Sequence, residues 1–316
     1  MRLINKYLLF ILGLNLLVSC GPDDGNVNIP PPRERQAVYD EDILEIENYL
    51  RSTYLTIDSD MNVTVDSIPD GGSQVSIWDQ TAYPLQSITV KNDSRSSLRV
   101  GGRIDDNVDY KLYYIVLNEG GGNTPTQVDS TLVAYKGWNF KNEVFDQNNT
   151  GVWFTFPDSQ NSSISGFRQI LSTIKSAVSS SEGANGFIDF ENFGNVIVFI
   201  PSGLAYFNLN QPNIGSYNPI AFQMKLLSIK ERDHDLDRVD SKHEDLNNNN
   251  DYFDDDTDGD GIPNFLDRDD DGDGVLTKRE IQINNNGVIT YYTFDLIPSC
   301  SPSSTLKKHL DPSCNL

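Results

Sequence analysis

The chain's most chemically explicit residues are a run of carboxylates. Asp269-x-Asp271-x-Asp273-Gly274-x-Leu276-x-x-x-Glu280 fits the EF-hand loop position for position. Carboxylates stand at loop positions 1, 3 and 5, glycine at 6 supplies the sharp turn, and glutamate at 12 can bind through both oxygens. Asp256-x-Asp258-x-Asp260-Gly261 is a second copy that closes on Asp267, and its Pro263 discourages a full flanking helix. Two weaker copies precede them. One is Asp233-x-Asp235-x-Asp237-Arg238, ending at Glu244, with arginine in the glycine position. The other is Asp245-x-Asn247-x-Asn249-Asn250, ending at Asp256, where Asn250 can take the left-handed turn. Hard oxygen ligands select calcium over zinc or copper. Register favours metal binding in the last two loops, with ligands Asp256, Asp258, Asp260, Asp267, Asp269, Asp271, Asp273 and Glu280. It leaves the first two balanced between a metal site and a disordered acidic linker. The segment is poor in apolar residues, so a structural ion is expected to be what folds it.

A second group is aromatic. Tyr135, Phe145, Phe154, Phe156, Phe167, Tyr206 and Phe222 recur at the ends of apolar runs between residues 130 and 230. Taken alone they read as core residues, the ordinary use of aromatics. No Ser/His/Asp or Cys/His set accompanies them, because His234, His243 and His309 all lie later in the chain. The net charge of −22 has the wrong sign for a nucleic-acid binder. Residues 233–280 hold sixteen Asp and two Glu against five Lys or Arg, a net of −13, so this block either stays disordered by self-repulsion or is neutralised by cations.

The elements that must position these groups read as α+β. Apolar Ile43, Ile46, Leu50 and Tyr54 predict an amphipathic helix over 39–54 that packs on a sheet, with a partner-binding helix as the alternative, and Asp40, Glu41 and Asp42 fall in its first turn. Alternation predicts short strands at 61–65, 88–90 and 98–100, and a stronger one at 110–117. Further strands are expected at 132–135, 195–200 and 221–229, and a helix at 166–175 with Phe167, Ile170, Leu171 and Ile174 on one side. An antiparallel sheet wrapped on that single helix is the expected packing.

The order and spacing of these residues resemble the FKBP-type peptidyl-prolyl cis-trans isomerases over residues 130–230, plus the strand at 110–117. The matching pieces are Tyr135-Lys136-Gly137, Phe145-Asp146, Phe154-Thr155-Phe156, Ser163-Ile164-Ser165-Gly166-Phe167, Ile200-Pro201 with Ala205-Tyr206, and Phe222. The resemblance implies an FKBP-like sheet and a proline pocket lined by Tyr135, Phe145, Asp146, Phe154, Ile164, Phe167, Tyr206 and Phe222. It implies a non-covalent mechanism without a catalytic cofactor, with proline-containing polypeptides as substrates. Rotation about an X-Pro amide faces a barrier of about 18–20 kcal/mol. An apolar pocket can lower it by desolvating the carbonyl and favouring the twisted state. The sequence departs from the family at Phe207, where the family has glycine, and at Phe167, where it has tryptophan. It departs also at Asp158-Ser159 and in an insertion at 176–195. A non-catalytic peptide-binding or chaperone module using the same groove is the second reading. The acidic loops resemble thrombospondin type 3 repeats rather than paired EF-hands, which makes a calcium-stiffened spacer a third.

At the N-terminus, Arg2 and Lys6 precede a short apolar run ending in Leu17-Val18-Ser19-Cys20, which resembles the lipobox of bacterial lipoproteins. The resemblance implies acylation of Cys20, membrane attachment and, with Gly21 in place of an inner-membrane retention Asp, an outer-membrane lipoprotein. The division expected is 1–19 signal peptide, 20–36 Pro-rich tether, 37–109 helix and strand extension, 110–231 isomerase domain, 232–281 calcium loops and 282–316 C-terminal segment. In an oxidising envelope a disulfide between Cys300 and Cys314 is favoured over two free thiols.

Overall fold

The computed structural model describes residues 31–157, 163–183 and 186–314. The lipobox with Cys20, the signal peptide, most of the tether and the Asp158-Ser159 departure lie outside the described residues. The first described element, α1 (Arg35–Ser52), buries Val38, Asp42, Ile46, Tyr49 and Leu50, the three- and four-residue spacing of one helical face. It starts at Arg35 rather than at residue 39, so Asp40 to Asp42 lie in its second turn and not its first. It stops at Ser52 because the β-branched run that follows favours extension. Tyr54 therefore belongs to a strand, β1 (Thr53–Ile57), which pairs antiparallel with β2 (Val63–Ser67).

A six-stranded antiparallel sheet holds β3 (Gln86–Val90), β4 (Tyr110–Asn118), β5 (Ser130–Asn139), β6 (Val144–Phe154), β9 (Gly194–Ile200) and β10 (Ile220–Lys230), in the order β3-β4-β9-β10-β5-β6. Residues 98–100 form a turn, not the expected strand. Helix α2 (Ser165–Ile170) and the tight 3-10 turn Leu171–Thr173 take the place of one regular helix over 166–175. Phe167, Ile170, Leu171 and Ile174 pack on Tyr110, Leu112, Val196, Val198, Phe222 and Met224 from one face of the sheet.

The opposite face is not left to solvent. Ile46, Tyr49 and Leu50 of α1, with Val63 and Val65 of β2, cover Tyr113, Ile115, Trp138, Ile197, Phe199 and Ala221. The expectation of a sheet wrapped on one helix is corrected accordingly: the sheet lies between two apolar layers. Every residue of β9 is buried, and a strand covered on both faces reads as a continuous apolar run. Residues 37–109 are thus part of the same body, with β3 an edge of the main sheet, and from Arg33 onward the chain forms one unit. The insertion at 176–195 forms an exposed hairpin of β7 (Ser179–Glu182) and β8 (Ile188–Glu191).

The acidic segment has more core than its composition suggests. Tyr252, Phe253 and Phe265 bury with Val128 of the β4–β5 connection. Beyond α3 (Thr277–Glu280), the hairpin of β11 (Gln282–Asn285) and β12 (Val288–Tyr291) brings Tyr291 onto Val239, Ile281 and Ile297. Apolar contacts therefore help to order these loops. Cys300 and Cys314 are joined, with Cα atoms 5.6 Å apart. Among the described residues no helix is long and apolar enough to cross a membrane.

Candidate functional site

Of the aromatic residues that the motifs singled out, Tyr135, Phe145, Phe154, Phe167, Tyr206 and Phe222 converge between α2 and strands β5, β6 and β10, whereas Phe156 packs on Phe253 of the acidic segment with the Arg168 guanidinium over its ring. Register sets this up. Phe222 lies opposite Gly137, and Gly137 lies opposite Asp146 on the other side. A Cβ on Gly137 would stand 2.5 Å from the Phe222 ring and 2.7 Å from the Phe145 ring, so only glycine lets both rings close over the strand. Phe222 meets Phe145 and Phe167 edge-on, each with centroids 5.4 Å apart, and Tyr135 at 6.0 Å. Phe154 completes the ring at 5.0 Å from Phe167 and 5.9 Å from Tyr135. These are favourable quadrupole geometries, and they pack the rings into one aromatic cluster beside α2.

Three polar groups border it. The Tyr135 hydroxyl donates to Asp146 Oδ2 at 2.9 Å. Burial, together with that carboxylate, pushes the Tyr135 hydroxyl up to about 12. Burial raises the Tyr206 hydroxyl as well, with the Asp146 charge adding to it. Neither the Tyr206 hydroxyl nor the Ile164 backbone N–H has a hydrogen-bond partner among the described residues, while the Ile164 carbonyl accepts from Phe167 and Arg168. The site therefore offers one O–H and one N–H for a bound carbonyl, and no nucleophile.

Tyr206 is positioned by the turn after β9. Ser202 donates from its backbone N–H and from its hydroxyl to Asp42 Oδ2 of α1, both at 2.7 Å. Its carbonyl accepts from Ala205 and Phe207. Burial pushes the Asp42 carboxyl up to about 7. Asp42 was not singled out from the sequence, although an acid spaced four from both Val38 and Ile46 on an apolar face was its visible signal. Phe207, the departure beside Tyr206, keeps the left-handed backbone that glycine would adopt, with φ of 46°. Its ring turns away from the pocket, edge-on to Tyr217 at 5.1 Å and under the Arg35 guanidinium at 4.2 Å.

In the acidic tail all four loops share one backbone pattern. The position-6 N–H donates to the position-1 carboxylate in each: Arg238 to Asp233, Asn250 to Asp245, Gly261 to Asp256 and Gly274 to Asp269. The position-6 residue has positive φ in every case, 85°, 64°, 88° and 92°. Arginine in the first loop thus adopts the turn expected of glycine. Asp256, Asp258 and Asp260 bring oxygens within 4.8 Å of one another, as do Asp269, Asp271 and Asp273. Glu280 has both oxygens buried without a partner, and burial with the Asp271 and Asp273 charges pushes it up to about 8. Asp267 stands outside the third loop's close group and accepts the Asp269 N–H at 3.0 Å. These donors are all carboxylate oxygens with unfilled capacity, a fit to calcium. In the first loop, which the sequence left balanced, Asp233, Asp235 and Asp237 form another such trio, and Asp237 forms a further one with Glu244 and Asp270.

Comparisons with known proteins return one family match and several structural ones. Residues 234–307 match a protein family described as BamM C-terminal. Among solved structures, the chain is similar to FkpA from Escherichia coli, with 26% identity and a TM-score of 0.30, over 38% of this chain and 48% of that one. It thus spans under half of that chain. A peptidyl-prolyl cis-trans isomerase from Pseudomonas syringae pv. tomato aligns at 21% identity and a TM-score of 0.30, over 38% of this chain and 76% of that one. The N-terminal domain of FKBP42 from Arabidopsis thaliana aligns at 14% identity and a TM-score of 0.31, over 39% and 89%. No curated protein matches the sequence.

Proposed function

We propose that the aromatic site is a peptidyl-prolyl cis-trans isomerase centre acting on X-Pro bonds of exported proteins. The observation that carries this reading is the pairing of the phenylalanine ring with two uncommitted donors, the Tyr206 hydroxyl and the Ile164 N–H. Phe145, Phe154, Phe167 and Phe222 would hold the prolyl ring. The two donors would take the carbonyls on either side of it. Asp146 holds Tyr135 as the polar wall, and the apolar surroundings disfavour the charge-separated amide resonance form that gives the bond its barrier. The match of residues 234–307 to the BamM C-terminal family supports a tail that works at the outer membrane, in keeping with the lipobox at Cys20. In the tail, the last two loops would hold structural calcium.

The same match favours a second reading, in which the groove only holds proline-containing segments of a partner in an envelope assembly. A protease-coupled isomerisation assay on the full chain separates the two. The isomerase reading expects turnover above the uncatalysed rate that falls in Asp146→Ala and Tyr206→Phe. A parent chain that leaves the uncatalysed rate unchanged while binding prolyl peptides would establish the second.

A further inference from the structure

We propose that the first acidic loop, despite its arginine in the glycine position, holds a divalent cation that is completed by Asp270 from the last loop. The site ties the two ends of the acidic segment together. It deepens the reading of the tail as calcium-binding and concerns an ion other than those of the last two loops.

Asp237, Glu244 and Asp270 are 1%, 3% and 2% exposed, and one oxygen from each lies within 4.8 Å of the others. Calcium binds oxygen at about 2.3–2.6 Å, so ligands on opposite sides of one ion stand about 5 Å apart or less. Both oxygens of Glu244, both of Asp270 and Oδ2 of Asp237 are buried without a hydrogen-bond partner. Unpaired carboxylates in such a place are costly, and a side-chain cation or a shared ion must answer them. Arg238 lies over the Tyr291 ring, Lys242 pairs with Glu231, and Arg268 Nε donates to the Asp235 carbonyl. Among the described residues no ion pair joins a Lys or Arg to Asp237, Glu244 or Asp270. A bound cation would supply the missing positive charge.

The ligand chemistry selects the ion. All the donors are carboxylate oxygens, which suit a hard cation. Magnesium keeps several waters in a strict octahedron, whereas this buried cluster leaves little room for them, and calcium's larger, adaptable shell fits. Asp270 sits at position 2 of its own loop, a position that supplies no ligand there. Its carboxylate is free to serve the first loop.

Native mass spectrometry of the full chain in calcium tests this by counting ions. Asp270→Asn and Glu244→Gln are each expected to carry one ion fewer than the parent. Asp256→Asn should lose a different ion, so that Asp256→Asn combined with Asp270→Asn loses two. An unchanged count in both Asp270→Asn and Glu244→Gln would overturn the site while leaving the last two loops standing. A parent chain without any ion would overturn it together with the calcium reading of the tail. Crystals of the parent chain soaked in terbium give a check that needs no variant. An anomalous peak between Glu244 and Asp270 is expected, and peaks confined to the last two loops would refute the proposal.

Discussion

The aromatic pocket and the acidic tail meet the same demand, burying polar groups, in opposite ways. In the aromatic cluster the Tyr135 hydroxyl is paired with Asp146, and the Tyr206 hydroxyl and Ile164 N–H have no hydrogen-bond partner among the described residues. Its rigidity comes from rings and from a sheet packed on both faces. The tail buries carboxylates that no donor satisfies, around small aromatic cores. Apolar packing is complete without help, whereas a cluster of like charges gains from counter-ions. One body therefore contains a region held by apolar packing and another rich in buried, unpaired carboxylate oxygens.

Calcium removal should break that contrast most sharply. A site held at a hundredfold its dissociation constant contributes about 2.7 kcal/mol, and several sites add. Chelation should lower the thermal midpoint of the tail by more than 10 °C or abolish its cooperative transition, with the near-UV signal of the pocket aromatics retained. Loss of both transitions together would show that the two regions are one cooperative unit. Phe222→Ala attacks the other side. It removes a ring in contact with three others, at a cost of about 3–5 kcal/mol, and calcium stoichiometry should stay at the parent value. Denaturant unfolding and ion counting report the two effects separately.

Smaller changes sharpen the comparison within the pocket. Asp146→Ala leaves the Tyr135 hydroxyl unpaired. Losing a hydrogen bond to a charged group costs about 1.5–3 kcal/mol, so kcat/KM for a prolyl peptide should fall roughly 10- to 100-fold. The smallest effect expected is on pH dependence. The carboxyl of Asp42 rises to about 7 in the fold from an ordinary value near 4. A raised carboxyl contributes stability that is fully present below the unfolded value and is lost as pH climbs through the folded one. In saturating calcium, the midpoint should therefore drop by a few degrees between pH 5 and pH 8, and Asp42→Asn should flatten that slope.

The sequence made the pocket legible because its parts are local. A Tyr-x-Gly strand, a Phe-Asp pair and an Ile-Pro turn each announce themselves within a few residues. The second apolar layer was legible only in part: the spacing of Ile43, Ile46 and Leu50 predicts a helix packing on a sheet, but not which face of which sheet it covers. The unbroken run from Asn195 to Ile200 states that β9 is covered on both faces, but not by what, and the cover comes from a helix some 150 residues earlier. The boundaries of α1 slipped because the acids at 40–42 suit a first turn, while the actual start is set by Arg35 reaching Asp106 and Phe207. In the tail the repeat spacing showed the loops but hid their partners. Asp270 reads as a spacer between two ligands until the chain folds back on Glu244, and Arg238 reads as a broken turn until its φ is seen.

The pair of hydrogen bonds from Ser202 to Asp42 has a mechanical side. Helix α1 is the first helix among the described residues, so a pull on the chain ahead of Arg35 loads it together with the contact of Arg33 on Tyr217. Asp42 grips the turn that carries Tyr206. A tug on the leading segment would thus reach the turn that carries Tyr206 as well as the sheet, which α1 also holds through the Tyr39 hydroxyl accepting from the Lys111 N–H.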